Sequence, residues 1–306
     1  MTSRCPLRLL PLLLLLPLAA CSVAPVVADR EPDQYDADDV LLRDHPVPHV
    51  VVREAFVTAA TPEENIDSPA SWLQDGRRML VATAKATDAL VVYDGDTGRR
   101  LRTVGGPGTA PGRLQRPNGV ATIDDRYLFV VERDNRRVQM FRLPEFTPLL
   151  VFGAAELQQP YGLWVRASGD GYEVLVSDAY MAGEDANGDD IVPPLDQLDR
   201  RFRRYQVARD GDGWSARAAG AFGDTSAAGA IRVPESLFGD PAHDRLLVAE
   251  EDVPTGTRLR EYDLQGRYLG RDVGAGQYRA QAEGIALMAC ADGSGWWVAS
   301  DQFADR

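Results

Sequence analysis

Short runs of β-branched and aromatic residues recur along this chain, each cut off by Gly, Pro or Asp, and apolar residues almost never return at helical spacing. Runs of that length with that punctuation make strands, so the pattern predicts an all-β protein. Superposing the runs exposes a repeat of about forty-five residues. Each unit opens on a turn element: DSPASW at 67, RPNGVA at 116, QPYGLW at 159, VPESLF at 233 and QAEGIA at 281. An apolar strand follows: LVATAK from Leu80, LFVVER from Leu128, VLVSDA from Val174, LLVAEE from Leu246 and WWVASD from Trp296. A second strand then ends in an aromatic residue and a polar turn, as in ALVVYDGDTGRRL and LREYDLQGRYL. Four-stranded units at this period are the blades of a β-propeller, because one small sheet cannot bury both of its faces whereas sheets stacked around an axis can. An irregular β-sandwich is the alternative, which five superposable units disfavour. Four units and the start of a fifth precede Arg306, so a six-bladed ring would be incomplete at the C-terminus.

The first twenty residues carry two arginines, no acid and a leucine run too short to span a bilayer, the make-up of a secretory signal. They end in Leu18-Ala19-Ala20-Cys21, which resembles the lipobox of bacterial lipoproteins, and Ser22 resembles an outer-membrane sorting residue. The expectation is an exported protein, lipid-anchored through Cys21 in the outer membrane or periplasm. Residues 21–47 are acidic, contain proline and lack sustained periodicity, which reads as a flexible tether to a domain over residues 48–306. With Cys5 in the signal and Cys21 acylated, only Cys290 remains and no disulfide framework forms.

The net charge of −13 becomes about −15 once the two signal arginines are removed, which argues against bare nucleic acid as a partner. A polyanionic substrate is repelled at long range unless bound cations reverse the local field. His45, His49 and His243 show no metal-ligand spacing, and neither a GxSxG elbow nor a GxxxxGK[ST] loop occurs.

In a repeat protein, equivalent positions of successive blades surround the axis together. One such set, in the turn elements, is Asn118, Tyr161, Glu235 and Glu283, with Asp67 and Ser68 at the first turn. A second, five residues into each strand, is Lys85, Arg133, Ala179, Glu251 and Asp301. The second set has cations in blades one and two and carboxylates in blades four and five. Oxygen ligands such as Glu251 and Asp301 suit Ca²⁺, and Lys85 and Arg133 suit the phosphoryl oxygens of an anion bridged to it. Solvated acidic strand ends are the plain alternative, with the roles of Glu250 and Asp252 left open.

At these residues the chain resembles the β-propeller phytases, calcium-dependent phosphatases that release phosphate from myo-inositol hexakisphosphate. DSPASW corresponds to the family's DDPAIW, ATAKAT to its TNKK strand end, and PYG to its Tyr-Gly turn. PES with VAEED, and AEGI with ASDQ, match its Glu-Gly turn with IAEED and its IEGL turn with ASSQG. The resemblance implies that several Ca²⁺ ions are bound by Asp67, Tyr161, Glu235, Glu251 and Glu283, and that Lys85 and Arg133 bind substrate phosphate. It makes Glu235, Glu251, Lys85 and Arg133 the residues that carry a 3-phytase-like hydrolysis by activated water, in a monomer acting on a phytate-like small molecule. Departures are Ser68 and Gln281 in place of family aspartates and Ala179 near a phosphate-binding lysine. DADD at Asp36–Asp39 lacks the following PAIW and belongs to the tether.

Two further stretches compete. Residues 105–141 resemble an NHL repeat, in which Glu132, Asn135 and Arg137 stabilise a turn, and that favours a non-catalytic propeller binding a ligand or protein. EDANGDDIVPPLD places Asp185, Asn187, Asp189 and Asp196 at calcium-loop spacing, but Asp190 stands where the loop needs glycine.

Overall fold

The computed structural model describes residues 53–278 and 280–302. The export signal, Cys21, the tether and Asp36–Asp39 lie outside the described residues.

The chain is all-β and its sheets follow one plan. Blade one is β1 (Ile66–Gln74), β2 (Arg77–Ala84), β3 (Ala89–Asp94) and β4 (Arg100–Gly105). Blade two is β5 (Pro117–Ile123), β6 (Tyr127–Glu132), β7 (Arg137–Arg142) and β8 (Thr147–Phe152). Blade three is β9 (Pro160–Ser168), β10 (Gly171–Asp178), β11 (Phe202–Asp210) and β12 (Gly213–Phe222). Blade four is β13 (Pro234–Asp240), β14 (Arg245–Glu250), β15 (Arg258–Tyr262) and β16 (Tyr268–Val273). A fifth sheet holds β17 (Gln281–Ala289) and β18 (Gly295–Gln302). Within each sheet the strands pair antiparallel in sequence order. The first strands β1, β5, β9, β13 and β17 adjoin one another in that succession, the neighbour relation of blades in a propeller. The predicted turn elements are therefore the beginnings of these inner strands rather than turns.

Sandwiching explains the composition of the second strands. In β6 all of Tyr127 to Glu132 are buried, and in β14 Leu246 to Glu250 are buried, because a neighbouring sheet covers each face. Continuous apolar runs replace the alternation of a half-exposed strand. Four cores fill the gaps between successive sheets. Trp72, Leu90, Leu128 and Phe141 lie between blades one and two. Phe129, Met140, Tyr172 and Val174 lie between two and three, and Leu175, Phe202, Leu246 and Tyr262 between three and four. Leu247, Ala249 and Leu259 meet Ile285, Trp297 and Ala299 of the fifth sheet. On the other face of the fifth sheet Met288, Trp296 and Val298 are exposed. Ile123, Tyr127 and Phe129 stand at the equivalent positions of blade two, packed against blade three.

The outer turns are held by aspartates. Asp94 accepts hydrogen bonds from the Asp96 and Thr97 amides after β3, and Asp263 from the Gln265 and Arg267 amides after β15. Such side-chain caps are the reason Asp and Asn gather in turns.

Candidate metal and anion site

Every inner pair of strands carries a bulge at the same place. Pro117 faces Glu132 but Val120 faces Val130, so Asn118 and Gly119 lie opposite one residue. The same shift occurs at Ile66/Pro69, Pro160/Leu163, Pro234/Leu237 and Ala282/Ile285. The bulges align Asp67, Asn118, Tyr161, Glu235 and Glu283 as first bulge residues of blades one to five. A bulge re-aims its side chain away from the pleat. That device places five sequence-predicted residues at one end of the propeller and resolves the first turn in favour of Asp67 over Ser68.

Close approach of the inner strands explains the glycines that follow. A Cβ on Gly119 would lie 2.7 Å from the Tyr161 carbonyl oxygen, and one on Gly162 would lie 2.6 Å from that of Glu235. Ser177 clamps the same contact, accepting from the Gly162 amide at 2.7 Å and donating to the Glu235 carbonyl at 2.8 Å.

A second ring is defined by backbone bonds. The amides of Lys85, Arg133, Ala179 and Glu251 donate to the carbonyls of Asn65, Arg116, Gln159 and Val233, each the residue before an inner strand. The fifth member is Gln302, paired in register with Gln281. This corrects the expected position of Asp301, which the register sets one residue earlier, level with Glu132, Asp178 and Glu250.

Those four carboxylates form a third, structural set. Glu132 accepts from the Gln115 amide, Asp178 from Gln158 and Gln159, Glu250 from Arg232 and Val233, and Asp301 from Ala280 at 3.0 Å. Each anchors the connector that leads into its own inner strand. Burial pushes the Asp178 and Glu250 carboxyls above the ordinary carboxylate range, against the pull of those amides. The three consecutive acids of AEED thus separate. Glu250 holds a connector, Asp252 accepts from the Thr255 hydroxyl at 2.5 Å, and Glu251 turns to the second ring.

Two clusters result. In the first, Lys85 Nζ lies 3.2 Å from Asp67 Oδ2 and donates to the Tyr161 hydroxyl at 3.3 Å, joining blades one and three. In the second, ligand oxygens of Glu235, Glu251 and Glu283 lie within 4.8 Å of one another. Glu235 and Glu251 are 5% and 2% exposed, so their mutual repulsion is weakly screened by water. Gln302, with its amide turned so that nitrogen faces the carboxylate, donates to Glu283. An all-oxygen donor set of three carboxylates suits a hard cation, and this cluster can hold a metal ion.

The structure joins Asp67, Tyr161 and Lys85 to one cluster and Glu235, Glu251 and Glu283 to the other. Arg133 takes its expected ring position, with its Nε donating to Asp134 at 2.8 Å. Ala179 is buried between the Arg133 and Glu251 positions. In the EDANGDD stretch Asp185 Oδ1 accepts the amides of Asn187 and Asp189, an Asx turn, while Asp196 sits in a separate short 3-10 helix, Leu195–Gln197. In the 105–141 stretch buried Glu132 accepts from Asn135 at 2.6 Å, Arg137 at 2.6 Å and Gln139 at 2.7 Å.

Sequence reasoning missed Arg201. Its fully buried guanidinium donates to the carbonyls of Asp178, Tyr180, Ile231 and Arg232, tying connectors of blades three and four. Burial lowers its pKa to about 10. Its signal was only an arginine before an aromatic strand.

No family model matches the chain, and no curated protein matches it either. Among solved structures it is similar to hydrazine synthase of Kuenenia stuttgartiensis (11% identity, TM-score 0.44, covering 78% of this chain and 57% of that one). It is also similar to a streptogramin B lyase (13%, TM-score 0.46, 78% and 64%). A third likeness is to the β-propeller domain of Cps50 (Swd1) from Myceliophteria thermophila (13%, TM-score 0.41, 72% and 59%). The chain spans less than two thirds of the length of each, and at this level of likeness no activity transfers.

Proposed function

We propose that the protein is an exported, calcium-dependent phosphomonoester hydrolase of the phytase type, acting on a phytate-like substrate at the mouth formed by the two clusters. The observation that carries this reading is the convergence of Glu235, Glu251 and Glu283 next to a ring that also presents Lys85 and Arg133. The three glutamates would hold the cation, which when bound supplies charge neutralisation for a phosphoryl group and polarises water. Lys85 and Arg133 bind and orient phosphoryl oxygens, and the Tyr161 hydroxyl, bonded to Lys85 Nζ, fixes the ammonium across blades one to three. Asp67 balances the Lys85 charge at 3.2 Å. Anchoring at Cys21 belongs to the same proposal.

A second reading is a propeller that binds such a ligand without turnover, favoured by Ala179, which offers no donor where blades one and two offer a cation. The deciding experiment is phosphate release from phytate by folded protein in Ca²⁺ and in EGTA. Calcium-dependent release supports the hydrolase, and its absence from a protein that still binds Ca²⁺ and phosphate supports the second reading. Lys85→Ala separates the two halves of the mouth: phosphate affinity falls by about tenfold, the loss of one charge-assisted contact, while calcium affinity changes little.

A further inference from the structure

Asn118 occupies the first bulge position of blade two and is completely buried, yet neither Oδ1 nor Nδ2 has a hydrogen-bond partner among the described residues. Buried carboxamides are rarely left so, and each such case calls for an explanation. Its surroundings are defined on both sides. Its ring equivalents in the flanking blades, Asp67 and Tyr161, both contact Lys85 Nζ, so the ammonium of blade one reaches past the blade that carries Asn118. Gly119 presses the same bulge against the Tyr161 carbonyl, which leaves the backbone little freedom to turn the side chain elsewhere.

We propose that Asn118 contacts the ligand of this mouth and selects a phosphoryl group that carries a proton. Nδ2 donates to a phosphoryl oxygen and Oδ1 accepts from a P–OH. Lys85 attracts anions in general, but a carboxamide with both atoms to satisfy needs a ligand that both accepts and donates. Phosphomonoesters have a second pKa near 6 and inorganic phosphate one near 7, so both keep a protonated fraction near neutral pH. Sulfate offers acceptors only and leaves Oδ1 unsatisfied. The inference rests on the phosphate reading above and adds to it a residue that discriminates between anions.

The test is calorimetric titration of the intact protein, in Ca²⁺ at pH 6, with inorganic phosphate and with sulfate, for wild type, Asn118→Leu and Asn118→Asp. Leucine matches asparagine in branching and heavy-atom number but cannot hydrogen-bond. Wild type should bind phosphate about tenfold more tightly than sulfate, the value of one good hydrogen bond. Asn118→Leu, with near-UV circular dichroism unchanged, should lose that preference. Without ligand it should also unfold about 3 °C higher, since a buried unpartnered amide has been replaced by an apolar group. Asn118→Asp, which keeps the shape and adds a negative charge, should weaken both anions. Unchanged phosphate affinity in Asn118→Leu, or a lower unfolding temperature, overturns the inference. A tighter calcium affinity in Asn118→Asp with phosphate binding intact also overturns it, by making Oδ1 a cation ligand. If wild type releases phosphate from phytate and Asn118→Leu does so equally well, this inference alone fails. If folded wild type neither binds phosphate nor releases it, the phosphate reading fails with it.

Discussion

Replacing Glu251 with Gln should change the stability of this protein in opposite directions with and without calcium. Oxygens of Glu235, Glu251 and Glu283 lie within 4.8 Å of one another. Two unit charges at that separation repel by about 3.5 kcal/mol at an effective dielectric of about 20. Glu251→Gln removes two of the three pairs and keeps the side chain's shape. Glu283 is partly exposed, and charge is shared between two oxygens, so a discounted gain of about 1–2 kcal/mol is the working figure. For a domain of this size that raises the unfolding temperature in EGTA by about 3–6 °C. In Ca²⁺ the order reverses. At a hundredfold excess over its dissociation constant a ligand stabilises the folded state by about 2.7 kcal/mol, and the variant loses most of that. Differential scanning calorimetry in EGTA and in millimolar Ca²⁺ reads both effects. A lower unfolding temperature for the variant in EGTA, or equal calcium shifts for both proteins, would refute the argument that the three glutamates form one cation site.

Glu132→Ala leaves buried Arg137 and Gln139 without their shared acceptor, and urea denaturation should show a loss of about 3–5 kcal/mol; under 1 kcal/mol would contradict the hub role. Gly162→Ala drives a Cβ to within 2.6 Å of the Glu235 carbonyl oxygen and 3.1 Å of Ser236 Cα, so blades three and four must separate. Calorimetry should show about 1–3 kcal/mol of destabilisation together with weaker calcium binding, because Glu235 moves with its backbone. The Arg100 guanidinium, bonded to both Glu64 oxygens at 2.7 and 2.8 Å, holds the Glu64 carboxyl below its ordinary value of 4.5. A lowered folded-state value means that this stabilisation is present above pH 4.5 and is lost as pH falls through the folded value. Unfolding temperatures of wild type and Glu64→Gln should therefore differ at pH 7 and converge as pH falls from 4.5 through the lowered folded value; a constant gap would exclude the pair as the cause.

The blade plan was legible because sandwiched sheets need uninterrupted apolar runs, and LFVVE, VLVSD and LLVAE stand out against their polar turns. The inner strands were harder to see. RPNGVA and VPESLF have Pro at their second position and carry Gly or Ser, the residues of a turn, because a bulge and a close neighbouring backbone lie there. In blade five the apolar doublet Trp296-Trp297 hides which residue is equivalent to Leu128; the register makes it Trp297, and a count from Trp296 exchanges Asp301 for Gln302. Glu251 and Lys85 survived the count because their strands run unbroken to the rim. The roles of Glu250, Glu132 and Arg201 depend on which connector amides and carbonyls fold over them. Those contacts span 17 to 31 residues of sequence and no spacing rule encodes them.

Crystals grown in Ca²⁺ and measured at a wavelength where calcium scatters anomalously test the central claim most directly. The account predicts an anomalous peak bounded by carboxylate oxygens of Glu235, Glu251 and Glu283 at about 2.3–2.6 Å, absent in Glu251→Gln. No peak there, with calcium found only in the Asp185–Asp190 turn, would contradict it.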